Sequence, residues 1–380
     1  MTKPTLPSIE RRKLLASSLA LPAMLSANLS WAAGPSTSAA ASAEAETREL
    51  DALYRAAVAE GGTLVVYAGG DTAQQQDATK AAFLKRFPDL KIDIVVDYSK
   101  IHDVRVDNQI ATKSQVPDVV QLQTLQDFVR WKREGRLHAY KPAGFAGLHK
   151  SFRDPDGAWL SIGVLAFSFM YDVAGTAGQA PATPEDLALP QWTGKIASSY
   201  PQDDDASLFL YKLYAEAYGW QWVERMAQQK IAFARGTHTP REALAQKKAL
   251  IGVGGSGSLT GPDAPVRWAV AQGHPFMAWG QRAAILKGAK RLNAAKLYLS
   301  WQISRERQGQ YYNGWSVRTD VQPAGGLRPV WTYANAHLEE FPAFMADRAL
   351  VERWRQTFVM YFGDVQGPPS PGVLGLHPGA

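Results

Sequence analysis

The stretch YPQDDDASLFLYKLY, residues 200–214, sets Asp203, Asp204 and Asp205 side by side between an apolar run and an amphipathic one. Adjacent like charges repel, so the triplet asks for a chemical reason. Three are available: a helix cap, a metal site, or one wall of a ligand cleft. A cap uses one aspartate, or two when the second complements the helix dipole. The third is surplus, which leaves capping and ligand contact both open. Further along, ARGTHTP places Arg235 and Thr237 after an apolar stretch. A guanidinium there can clamp a carboxylate or phosphonate through two parallel hydrogen bonds, or pair with one of the aspartates. Nearer the start, AGGDT carries Gly69, Gly70, Asp71 and Thr72. Backbone N–H groups at such a glycine-rich helix start form a ready anion site; the bland alternative is a glycine-assisted turn. Tyr98-Ser99 and Gln123-Thr124 add hydroxyl and amide groups, and Tyr200 precedes the acidic triplet.

The usual catalytic signatures fail. GVGGSG, starting at Gly252, has the spacing of a dinucleotide-binding turn, but Pro262 stands where the required helix would run. GGSGS misses a nucleophile elbow because Ser258 replaces the last glycine. The 7 histidines are scattered, without an H-E-x-x-H pair. Carboxylates distant in sequence could still meet for glycoside hydrolysis. The 12 tryptophans could stack on sugar rings, yet most lie at helical spacing, which assigns them to the core. No catalytic residue, metal ligand or cofactor is assigned.

The candidate residues sit at the ends of predicted strands. TLVVYAGG is a buried strand that breaks at a Gly pair, and a helix follows over 74–86. LKIDIVVDY is a second strand, completing a strand–helix–strand unit. Residues 118–123 form a third strand, with a helix over 125–134. Residues 159–172 form a long run able to cross between lobes. A strand over 195–199 then leads into the triplet and a single long helix over 207–229. Strands follow around 231–235 and 249–255, and a return strand is expected at 266–270. Helices are predicted over 48–60, 293–307, 339–345 and 349–362. In open α/β sheets ligands bind outside the carboxyl ends of strands, where all of these candidates fall.

Length supports two lobes: 380 residues exceed one ordinary core. Residues 1–32 read as a signal peptide, with Arg11-Arg12-Lys13 ahead of a short apolar stretch and a small-residue cleavage site. The paired arginines are those of a twin-arginine export signal. Export across a Gram-negative inner membrane gives a periplasmic address. Residues 34–47 read as a disordered, low-complexity linker. Four basic residues and one acid lie within residues 1–32, so the formal +6 falls to +3 without them. That charge makes no case for nucleic acid. With Cys 0, stability must come from core burial.

PDVVQLQTLQDFVRWKREGRLHAYKP, SFMYD, PEDLALPQWTGKIA, AAILKGAKRLNAAKLYLSWQIS and GWSVRTDV together resemble the periplasmic solute-binding proteins of ABC importers. The resemblance is to the family 1 extracellular, ferric-iron-binding-like group, over residues 62–321. It implies an α/β, two-lobed type II periplasmic-binding fold with a ligand cleft between lobes. Lobe 1 would comprise 62–165 and, with the C-terminal helices, 268–380; lobe 2 would comprise 166–267. It implies a non-enzymatic monomer that captures a small-molecule ligand and hands it to an inner-membrane ABC permease. The alternatives are an Fe³⁺ or other metal-ion carrier and a secreted α/β hydrolase. Iron-binding members usually hold the metal with adjacent tyrosines near the return strand; GVGGSGSLTGPDAPVRW has none, and Tyr311-Tyr312 lies elsewhere. The expected ligand wall is Gly69, Gly70, Asp71, Thr72, Tyr98, Ser99, Gln123, Thr124, Tyr200, Asp203, Asp204, Arg235 and Thr237. Gly69–Thr72 and Arg235 favour an anion, the aspartates a cation, and a zwitterion satisfies both.

Overall fold

A computed structural model describes residues 37–259, 264–310 and 313–368. The export signal and the Tyr311-Tyr312 pair lie outside these residues. Ten strands join in one sheet system: β1 (Thr63–Gly69), β2 (Lys91–Asp97), β3 (Val119–Leu122), β4 (Leu137–His138), β5 (Leu160–Asp172), β6 (Ile196–Ser199), β7 (Ala232–Ala234), β8 (Ile251–Ser256), β9 (Val266–Ala269) and β10 (Met277–Leu286). β1 pairs in parallel with β2 and β3. β6 pairs in parallel with β7 and β8. Each lobe therefore has its first strand between its second and third.

β5 and β10 run antiparallel, from Met277↔Phe167 to Ala283↔Leu160. One end of β10 pairs β3 in the first lobe, and the far end of β5 pairs β8 in the second. These two strands are the crossing. The return expected at 266–270 is corrected: β9 only flanks β5, and β10 makes the return. Periodicity could not separate them, because both are short apolar runs and only pairing distinguishes a crossing strand from a flanking one.

One face of the first-lobe sheet packs Phe83, Leu297, Tyr298 and Trp301 with Leu50 and Ala57. Its other face packs Tyr67, Val106, Phe128 and Trp131. Leu208, Phe209, Tyr211 and Trp222 build the second-lobe core together with Phe341, Phe344, Val351 and Phe358. Helices Glu340–Ala346 and Arg348–Phe362 supply those last four side chains. Most tryptophans are core, as their spacing predicts; Trp220 is exposed and stacks on Trp354 at 5.5 Å.

Two further expectations change. The single helix over 207–229 is two, Asp205–Tyr218 and Trp220–Ala227, because Gly219 adopts φ 79° between them. The linker is helical from Thr37, in a helix that runs to Glu60. Tertiary charge overrides its composition there. Arg318 is buried at 1% exposure. It donates to Glu46 Oε1 at 2.7 Å and to Asp320 Oδ1 at 2.7 Å. Stripping one partner from a buried pair costs roughly 3–5 kcal/mol, so Arg318 holds Glu46 in place.

Candidate functional site

The acidic triplet sits at the end of β6, and its three carboxylates do three different things. Asp204 is the N-cap of Asp205–Tyr218: its Oδ1 accepts the Ser207 N–H at 2.8 Å. Asp205 faces the C-terminal helix, with Arg355 Nη2 at 2.6 Å and Arg348 Nη2 at 3.5 Å. Asp203 faces the other lobe. Lys100 Nζ donates to its Oδ1 at 2.7 Å and to its backbone carbonyl at 2.9 Å. Burial, with help from Asp71 and Asp205, pushes the Asp204 carboxyl up to about 6, against the Ser207 amide and Lys100.

A second contact crosses the cleft in the same direction. Asp71 follows β1, and its backbone N–H donates to Gln75 Oε1 at 2.6 Å. Its Oδ2 accepts three bonds from the turn after β7: Thr237 N–H at 2.8 Å, Thr237 Oγ1 at 2.7 Å and His238 N–H at 3.2 Å. Gly236 makes that turn possible, with φ 92° and a position where a Cβ would meet the His238 ring at 2.6 Å. His238 Nδ1 lies 3.5 Å from the same Oδ2. The Asp71 carboxylate raises the imidazole pKa above its ordinary value, against burial.

These contacts divide the interlobe space. A small pocket of about 60 Å³ is lined by Gly70, Asp71, Tyr98, Ser99, Lys100, Gln123, Thr124, Asp203 and Asp204, with Trp279 and Phe341 behind. That volume suits a handful of waters. A larger cavity of about 630 Å³ lies against the crossing strands. Ligand sites span roughly 300–1,000 Å³, so the larger cavity is the one with room. Gly69, Asp71, Thr72 and Gln123 line it from the first lobe, Thr237, His238 and Arg241 from the second, and residues 162–165 with Phe167 from the crossing.

The sequence-predicted residues therefore separate into groups. Asp71 and Gln123 border both spaces. Ser99 is committed to structure: its Oγ accepts the Gln123 N–H at 2.9 Å and lies where a Cβ on Gly69 would be, 2.1 Å away. Tyr98 is half-buried; burial first, then Asp71 and Asp203, raise its pKa. Thr124 Oγ1 is buried without a hydrogen-bond partner among the described residues. Tyr200 does not reach either space; it is buried and stacks on Phe233 at 5.1 Å. Its β6-end position promised a cleft residue, but its ring completes the core beside β7. Arg235 is used internally: its Nη1 donates to Pro368 O at 2.8 Å and its Nε lies 3.4 Å from Asp203 Oδ2. The ion pair open at the outset is thus what the fold builds, and Arg235 and Asp203 do not face one ligand together. Lys100, Arg241, Arg307 and Gln281 were missed. Only the basic residue in DYSK and the glutamine run of DTAQQQ hinted at polar walls there.

Among the described residues no group of three or more His, Cys, Asp or Glu could hold a metal ion. Residues 114–249 match the family of bacterial extracellular solute-binding proteins. Likeness of fold to solved structures extends well beyond that segment. A periplasmic binding protein from Actinobacillus pleuropneumoniae, AfuA, solved with exogenous fructose-6-phosphate, superposes with TM-score 0.63 at 18% identity, over 80% of this chain and 99% of that one. The substrate binding protein of an Agrobacterium tumefaciens ABC transporter gives TM-score 0.61 at 16% identity, over 78% and 94%. Iron-bound HitA from Pseudomonas aeruginosa gives TM-score 0.59 at 16% identity, over 78% and 99%. An uncharacterised Haemophilus influenzae protein is 24% identical over 245 residues, 58% of this chain and 70% of that one. The chain thus has a two-lobed periplasmic-binding fold, as its motifs implied.

Proposed function

We propose that the chain is the periplasmic substrate-binding component of an ABC importer. It captures one small solute between its lobes and presents the closed form to an inner-membrane permease. The observation that carries this reading is the interlobe cavity of about 630 Å³, roofed by contacts made only when the lobes meet. Ligand that touches both lobes favours the closed arrangement by its differential affinity for it. The reading includes export through the signal over 1–32, action as a monomer and no turnover. The kinship with ABC-transporter and iron-binding structures supports it. The test is small-angle scattering on protein refolded from denaturant, with and without candidate solutes. A ligand-dependent fall in radius of gyration, without consumption of the ligand, is expected. Turnover of any bound compound would instead favour the hydrolase.

A further inference from the structure

The larger cavity has an unbalanced charge pattern. Arg307 enters it from the first lobe, on the short helix Arg305–Gln308. It is half-buried, and burial lowers its pKa. Yet its guanidinium meets only neutral groups: Gln310 Oε1 at 2.8 Å, Thr79 Oγ1 at 3.4 Å, Gln302 Oε1 at 3.5 Å and the face of Trp301 at 4.9 Å. Among the described residues it has no carboxylate partner. Arg241, on the opposite lobe, lines the same cavity with none either among the described residues, but it is exposed, so the cost of desolvation falls on Arg307. A desolvated, unpaired cation is costly, and a guanidinium suits a planar or tetrahedral oxyanion.

The two acids at the cavity do not cancel these charges. Asp71 is held by the Thr237–His238 turn, and Glu242 Oε2 lies 4.0 Å from His238 Nε2. The turn itself would be an anion site, but the Asp71 carboxylate already takes its N–H groups. A ligand's acid group is thereby directed to the arginines. The remaining wall is amide-rich: the side chains of Gln76, Gln123 and Gln281 face the cavity without a hydrogen-bond partner among the described residues. Each amide offers a donor and an acceptor, the pattern that reads hydroxyl groups.

We infer that the solute is a polyhydroxylated oxyanion, its phosphate or carboxylate held by Arg307 with Arg241 opposite and its hydroxyls read by the glutamines. This rests on the binding-protein reading. The test is titration calorimetry with a hexose 6-phosphate, a hexonate, the uncharged hexose and inorganic phosphate, with small-angle scattering on the same samples. The phosphate or carboxylate sugar should bind and close the lobes, and the preferred one identifies the acid group. Arg307→Gln should weaken it at least tenfold, Arg307→Lys should recover part of that loss, and Arg241→Gln should cost less. Equal binding of the uncharged hexose, or unchanged affinity in Arg307→Gln, would overturn the inference. So would a silent oxyanion set beside closure by an amino acid, a polyamine or ferric citrate; that result would leave the binding-protein reading standing. Silence of every compound in both measurements would sink the two together.

Discussion

Asp71 and Lys100 both reach from the first lobe to the second, each from the residues after a parallel strand, but they meet different chemistry there. Asp71 is 14% exposed and its one oxygen accepts three directed bonds, two of them from backbone N–H groups. Lys100 is 45% exposed and meets one carboxylate and one carbonyl. Charge-assisted bonds to fixed backbone donors lose little entropy on forming. An exposed lysine pair gains about 0–1 kcal/mol, because water and salt screen it. Both contacts are charge-assisted and cross between the lobes; their partners and surroundings make the Asp71 contact the stronger tie.

Asp71→Ala should break that contrast most visibly. It removes the acceptor of three bonds and should weaken the closed arrangement by about 2–4 kcal/mol, the scale of lost bonds to a charged group. Small-angle scattering would then show an expanded particle where the parent is compact; an unchanged envelope would remove the tie. Gly69→Ala tests what lies beneath Asp71. Its Cβ would sit 2.1 Å from Ser99 Oγ, an overpacking that should cost about 1–3 kcal/mol of thermal stability. On the second-lobe side, Asp204→Ala should cost about 1 kcal/mol by loss of the cap, read as a lower midpoint by calorimetry. Lys100→Ala should shift the lobes by less than about 1 kcal/mol, and raising salt should shrink even that. A Lys100 effect as large as that of Asp71 would overturn the ranking.

The smallest effect is with pH. A raised group binds its proton more tightly in the closed, folded state. Its stabilisation is full below the ordinary pKa and is lost as pH rises through the raised one. For His238 this means closure favoured on the acidic side of its ordinary range and weakened above its raised value. Asp204 acts in the same sense on folding, losing stability as pH rises toward about 6. Asp71→Asn should flatten the first dependence and Asp204→Asn the second, so the two are separable by measuring closure and melting across pH.

Much of the frame is legible in the residues. TLVVYAGG and LKIDIVVDY carry the apolar runs of buried strands, and their Gly and polar ends mark where the helices start. That the triplet could cap the helix before SLFLYKLY is legible, beside ligand contact; that Asp204 is the one that does so is seen only in its bond from the Ser207 N–H. The place of the ligand room does not follow. Tyr200 and Arg235 have the right type and the right strand ends, but Phe233 and Asp203 claim them in three dimensions. Arg307 looks like one more basic residue at the end of a helix until burial leaves it without an acid. Local sequence thus determined the strands, the turns and the strand-end positions, because backbone preference and hydrophobic period are local properties. Only the tertiary structure decided which charges cancel within the fold and which are left to face the cavity. Pairing and desolvation depend on neighbours hundreds of residues apart, as Glu46 and Arg318 show.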